Sequence, residues 1–170
     1  NAGRGVADIA LRELGGASVG AKAVVFAGKG NNGGDGYVVA RLLRDAGVKV
    51  IVLSLCRTGD LKGDAAANAS SWMKMGGKVI EILTTEAAQA ARRTVEEASI
   101  VIDAIFGTGL TKVVKGVYAD AIRLINGAAK NVLSIDIPSG VNATTGAVLG
   151  EAVKAGVTAT MAMPKLGLFL

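Results

Sequence analysis

Val24-Val25-Phe26-Ala27-Gly28-Lys29-Gly30-Asn31-Asn32-Gly33-Gly34-Asp35-Gly36-Tyr37-Val38-Val39-Ala40-Arg41 is the stretch whose reading decides the fold. An apolar, β-branched run enters a segment rich in glycine and asparagine, and that segment opens an amphipathic pattern. The order predicts strand, loop and helix. Glycine and asparagine tolerate positive φ and let a backbone come close to a ligand. The helix beyond aims its free N–H groups and its dipole back at the loop, which suits an anion such as phosphate. An ordinary turn needs one or two glycines, and this one has five, with two asparagines and an aspartate.

Outward from this stretch the chain alternates. Apolar spacing over 5–14 reads as a helix, 22–27 as the first strand and 35–45 as the helix after it, closed by Gly47. Strands follow at 48–55, 79–83, 100–104 and 131–135. Helices are expected at 65–75, 86–98 and 118–125, and loops at 56–64 and 107–116. Segments 147–149 and 157–161 are candidates for further strands. Alternation of this kind specifies one α/β domain over 1–170, a three-layer α/β/α Rossmann-like sandwich with a mostly parallel sheet. Ligands of such sheets sit outside the carboxyl ends of the strands, where the strand order reverses.

Three acids fall just past strand ends. Asp35 follows the first strand, Asp103 closes the fourth and Asp136 the fifth, so all three are expected on one sheet edge around the glycine segment. For Asp35, a helix-capping role and a ligand contact are both open. Asp103 and Asp136 sit inside apolar runs, where a carboxylate without a partner or a cation is costly.

Composition narrows the function. With 19 Lys and Arg against 14 Asp and Glu the net charge is +5, but the basic residues are scattered and aromatics are few, which argues against nucleic acid. Histidine is absent, which excludes His-based triads and His zinc sites. The single cysteine, Cys56, rules out an internal disulfide, fits a reducing cytoplasmic location, and reads as a plain strand-end residue with no base to activate it. No apolar run is long enough to span a bilayer. The spacing Gly28-x-Gly30-x-x-Gly33 matches a dinucleotide fingerprint, yet the acid expected after the second strand is missing, since that strand runs out through Ser54-Leu55-Cys56. No Gly-Lys-Ser/Thr is present, which excludes a P-loop. With no initiating Met and an apolar ending, Leu166 to Leu170, the chain is expected to be part of something longer, cut at both ends.

Three segments together carry a resemblance: Gly28-Lys29-Gly30-Asn31-Asn32-Gly33-Gly34-Asp35-Gly36, then Asp103-Ala104-Ile105-Phe106-Gly107-Thr108-Gly109-Leu110, then Asp136-Ile137-Pro138-Ser139-Gly140-Val141. In that order they resemble the NAD(P)HX epimerase family, the YjeF N-terminal domain. Asn1-Ala2-Gly3-Arg4 is similar to part of that family's first helix, and Met163-Pro164-Lys165-Leu166-Gly167 to its late Pro-Lys-Gly segment. The resemblance implies epimerisation of the hydrated nicotinamide of damaged NADH or NADPH. It implies substrate contacts at Asn31, Asn32, Gly33, Gly34 and Asp35, at Gly107, Thr108, Gly109, Leu110, Thr111, Lys112 and Val113, and at Asp136. It also implies a potassium ion held by Asn32, Asp103 and Ser139, and an ADP- or ATP-dependent dehydratase, fused or separate, as functional partner. A homo-oligomer is compatible with the same reading. An amide oxygen, one carboxylate and a hydroxyl form an oxygen set of low charge, suited to a monovalent cation better than to Mg²⁺ or Ca²⁺. With no His and no suitable Cys, Asp136 is the expected proton carrier, with Asp35 second. The rival readings are an NAD(P)-dependent oxidoreductase and a non-catalytic nucleotide-binding or protein-interaction module.

Overall fold

In the computed structural model, which describes residues 2–16 and 18–169, six strands form one sheet with every neighbouring pair parallel. The strands are β1 (Lys22–Ala27), β2 (Lys49–Ser54), β3 (Lys78–Glu81), β4 (Ile100–Ala104), β5 (Val132–Ile135) and β6 (Val157–Ala159). Their spatial order is β3-β2-β1-β4-β5-β6, so the direction of winding reverses between β1 and β4. That is the Rossmann-type order, and it makes the crevice beyond the carboxyl ends of β1 and β4 the place for a ligand. Asn1, expected in the first-helix motif, and Leu170, the last of the apolar ending, lie outside the described residues.

Alternate residues of the central strands feed two cores. Ala23, Val25 and Ala27 of β1 face a core shared with α1 (Ala2–Glu13), α2 (Asn31–Asp45) and α3 (Gly63–Lys74). Val24 and Phe26 face the other core, shared with α4 (Thr85–Ala90), α5 (Arg92–Glu96) and α6 (Val117–Ala128). Both faces are covered, which is why these strands read as continuous apolar runs. The largest buried side chains, among them Phe26, Tyr37, Leu53 and Trp72, are divided between the two layers. Each contributes about 1.5–3 kcal/mol relative to exposure.

Several boundaries differ from expectation. The expected helix 86–98 is two helices, α4 and α5, meeting at Ala91, whose N–H reaches both Ala87 O and Ala88 O. Helix α6 runs through Asn126-Gly127 to Ala128, because Asn126 is held from outside: its side chain donates to Ala152 O and accepts from Lys154 N–H. Of the two late candidates, 157–159 is a strand. Residues 147–149 contribute only an isolated antiparallel bridge, Val148 to Val141. Among the described residues no helix is long and apolar enough to cross a membrane.

Candidate active site

The glycine segment is not the loop it was expected to be. Helix α2 begins at Asn31, four residues before the expected start, with Gly30 as N-cap and no side-chain cap. None of Gly28, Gly30, Gly33, Gly34 and Gly36 has positive φ. Their value is close approach. A Cβ on Gly28 would lie 2.0 Å from Ile105 O, and one on Gly33 would lie 1.9 Å from Gly28 O, both backbone atoms. The first turn of α2 is thereby folded onto the end of β1, with β4 alongside, and its uncapped N–H groups open on the crevice.

That crevice is a cavity of about 720 Å³. Asn31, Asn32 and Asp35 of α2 form one wall. The segment after β4 lines it through Gly107, Thr108, Gly109, Leu110, Thr111 and Lys112, with Gly107 beside Asn32, and Asp136 reaches in from the end of β5. The structure thus brings together most of the residues the sequence singled out. It leaves three off the wall. Gly33 is packed on Gly28. Gly34 faces α3, where its Cβ would meet Ala65 Cα at 3.1 Å. Val113 is exposed and turned toward Gly150, whose Cβ would stand 3.0 Å from it. The first two are small so that α2 can seat, not so that a ligand can approach. Lining residues that sequence reasoning missed are Lys29, Ile105, Phe106, Tyr118 and Met161. Phe106 and Tyr118 pack as a tilted pair, 5.1 Å between centroids and 36° between ring planes, giving the cavity an aromatic side.

Asp103 is fully buried behind this wall. Its Oδ1 accepts from Ile105 N–H at 3.2 Å and Ser139 Oγ at 2.6 Å. Its Oδ2 accepts from Ser134 Oγ at 2.7 Å and Ser139 N–H at 2.9 Å. Burial pushes the carboxyl above the usual range, and these four hydrogen bonds, that of Ser139 Oγ first, oppose the push. Ser139 Oγ in turn accepts from Phe106 N–H at 2.9 Å and lies 3.3 Å from Phe106 O. Asn32 Nδ2 donates to the same Phe106 carbonyl at 2.9 Å. Asp103, Ser139, Phe106 and Asn32 are therefore one connected polar chain linking β4, the turn after β5 and the first turn of α2. The Phe106 carbonyl is its member that no side-chain pattern could have pointed to.

Asp136 has φ 71°, and Ile137 N–H bonds Ile135 O at 2.9 Å, which closes a γ-turn centred on the aspartate. Left-handed φ is tolerated by Asp better than by most residues, but such turns are uncommon and strained. The side chain is largely buried and ion-paired with Lys165.

Asp35 caps nothing. It is the fifth residue of α2, in the cavity wall, and burial pushes its carboxyl above the usual range, with the neighbouring Asp136 carboxylate adding to the push. A carboxyl whose folded-state pKa is raised adds stability below its unfolded value of 3.8 and loses it as pH rises through the folded value. Asp35→Asn is therefore expected to raise the melting temperature at pH 7, and the gain is expected to vanish below the unfolded value. Thermal denaturation of both proteins across that range checks this, and a gain that persists at low pH would refute the charge as its cause. Cys56, just beyond β2, has its thiol pushed up by burial, the opposite of what a nucleophile needs. Among the described residues no three His, Cys, Asp or Glu side chains are grouped as a metal site.

Comparison with known proteins gives a consistent set of likenesses. The family model described as YjeF-related protein N-terminus matches residues 1–167. The bifunctional NAD(P)H-hydrate repair enzyme Nnr of Moorella thermoacetica is 42% identical over 168 residues, which cover 99% of this chain and 32% of that protein. The NAD(P)H-hydrate epimerase of Levilactobacillus brevis is 44% identical over 147 residues, 86% of this chain and 64% of that protein. The chain thus spans between about a third and two thirds of these relatives' length. In fold, the crystal structure of yeast ynu0, YNL200c, superposes with a TM-score of 0.77 at 23% identity, covering 99% of this chain and 71% of that one.

Proposed function

The chain belongs to the YjeF-related N-terminal family, and from that premise we propose that it is an NAD(P)H-hydrate epimerase, interconverting the R and S forms of hydrated NADH and NADPH. One observation carries the reading. The cavity at the strand-order reversal combines an uncapped helix N-terminus, an aromatic side and a single Lys-paired carboxylate, Asp136. The helix N-terminus suits the anionic part of a dinucleotide, the aromatic pair suits a ring, and the carboxylate suits a proton.

Inversion at C6 of the hydrated ring requires either that the C6–O bond break and re-form on the other face, or that the ring open and close. In the first route the hydroxyl takes a proton and leaves as water, assisted by the ring nitrogen. Water then adds to the opposite face and returns a proton. In the second the hydroxyl gives up its proton as the C–N bond breaks and regains it on closure. Nothing is oxidised or reduced in either route; the second asks only for a base that takes the hydroxyl proton and returns it, which a Lys-paired carboxylate can do, whereas the first asks for the same group in its protonated form. An oxidoreductase reading is disfavoured by the end of β2, where Ser54 bonds Cys56 O in place of a ribose-binding acid. A hydrate-specific dehydratase, fused or separate, would consume the S product, and a reducing cytoplasmic setting with the lone Cys56 belongs to the same proposal. Chromatographic separation of R and S hydrates after incubation with the purified chain tests it. Interconversion above the spontaneous rate is expected. Its absence, together with tight binding of ordinary NADH, would favour the oxidoreductase.

The same proposal includes a potassium ion at Asn32 and Ser139, backed by Asp103. The residues fit on donor chemistry. The Phe106 carbonyl, the Ser139 hydroxyl and the Asn32 amide converge, and a turn of that amide about its last bond would present its oxygen beside the other two. The set would then be all oxygen, with one carboxylate in its support, and the ion would offset the buried charge of Asp103. Potassium chloride, but not tetramethylammonium chloride at equal ionic strength, is expected to raise the melting temperature by about 2–4 °C per kcal/mol of binding. Identical melting curves in the two salts would sink this part of the proposal.

A further inference from the structure

Lys165 lies in the late segment, 29 positions from Asp136. Its ammonium meets Asp136 Oδ1, Met161 O at 2.6 Å and Thr160 Oγ1 at 3.2 Å. Those three acceptors use all three of its N–H donors. Both side chains of the ion pair are only 15% exposed. Met161 N–H also reaches Asp136 Oδ1, at 3.3 Å. The two carboxylate oxygens are thus unlike. Oδ1 is engaged from the β6 side, whereas Oδ2 lies over Gly107, 3.5 Å from where a Cβ there would stand, in the wall of the cavity.

We infer that Lys165 is the positioning residue of the epimerisation: by holding Oδ1 it fixes the rotation of the Asp136 carboxylate and leaves Oδ2 as the oxygen presented to the substrate. This rests on the epimerase reading. The γ-turn at Asp136 sets where the side chain leaves the backbone, and the ammonium restrains the two side-chain torsions, χ1 and χ2, that the turn leaves free. A carboxylate not so held would spread over orientations, and misplacement of a reacting group by an ångström is enough to slow a reaction heavily. Lys165 acts through Asp136 and does not itself touch the ring. The segment that supplies it, beyond β6, carries exposed apolar residues Met163, Leu166 and Phe169, so Lys165 is its inward-facing polar member.

The experiment is a double-mutant cycle on the full chain with R and S hydrates as substrates. Lys165→Met keeps the length of the side chain and removes its charge and donors. It is expected to lower kcat by about 10–100-fold, the range for loss of an outer partner that orients a working group, with KM changed by less than about threefold. In the Asp136→Asn background the same substitution is expected to cost less than about twofold, because the group it positions is gone. Lys165→Arg, which keeps a cationic donor, is expected to recover part of the loss, and it serves in place of Lys165→Met should that variant melt below assay temperature. Equal losses in both backgrounds, a rise in KM with kcat unchanged, or an Arg variant as slow as Met overturns the inference. A wild-type chain with no interconversion overturns the epimerase reading and this role with it, whereas an active wild type with additive losses overturns this role alone.

Discussion

Asp136→Asn is expected to reduce the turnover of R and S hydrates by about 10²–10⁴-fold, the range for a general acid–base group, with a smaller change in substrate affinity. The substitution is nearly isosteric, and Asn tolerates the left-handed φ of 71° as readily as Asp does. The γ-turn and the course of the chain into Pro138 and Ser139 should therefore survive. What is lost is the proton acceptor in the cavity wall and the anionic partner of Lys165. The melting temperature is expected to fall, because Lys165 loses its anionic partner in a largely buried place, so turnover is compared at a temperature where both proteins are folded. A variant that loses affinity yet keeps turnover at saturation would make Asp136 a recognition residue. The proton would then have to pass through Asp35, the other carboxyl of the cavity, or through water.

The second large effect is on stability. Asp103→Asn is expected to destabilise the chain by about 3 kcal/mol, since a buried unsatisfied donor costs about 1–3 kcal/mol and hydrogen bonds to a charged acceptor are also lost. The reason is geometric. Each oxygen of Asp103 accepts one backbone N–H, that of Ile105 on one side and that of Ser139 on the other. Whichever way an amide turns, its NH₂ faces a backbone N–H that cannot rotate away, whereas Ser134 and Ser139 can reorient their hydroxyls. A fall in melting temperature of roughly 10 °C follows for a domain of this size. Because Asp103 anchors Ser139, the dependence of stability on potassium should weaken in the same variant. An unchanged melting curve would mean that the four hydrogen bonds do not hold this edge of the sheet together.

These two residues also mark how legible the site was. That Asp103 and Asp136 matter was readable from two apolar runs each interrupted by one acid, since burying a charge there needs compensation. Which compensation was not readable. Asp103 is answered by Ser134 and Ser139, 31 and 36 positions away, and Asp136 by Lys165, 29 positions away. No periodicity encodes such pairs. They exist because β4 and β5 lie side by side and because β6 brings its following segment back over the end of β5.

The glycine segment shows the same division. Local sequence determined that a strand ends at Ala27 and that a helix follows; the glycines of this segment, read as allowing positive φ and the approach of a ligand, have no positive φ, and Gly28 and Gly33 admit neighbouring backbone instead. Helix propensity alone would not start a helix on Asn31-Asn32-Gly33-Gly34, because glycine is a poor helix former. Tertiary packing decided that it does: with no Cβ at Gly28 and Gly33, the first turn can lie against the backbone at the ends of β1 and β4. The alternation of strands and helices, the two-faced burial of the sheet and the edge that carries the acids were therefore set by the sequence, since each follows from patterns a few residues long. The start of α2, the break at Ala91, the Phe106 carbonyl and the grip of Lys165 on Asp136 were set only by the folded structure. Each of these depends on which distant atoms a backbone group or side chain meets once the chain is compact.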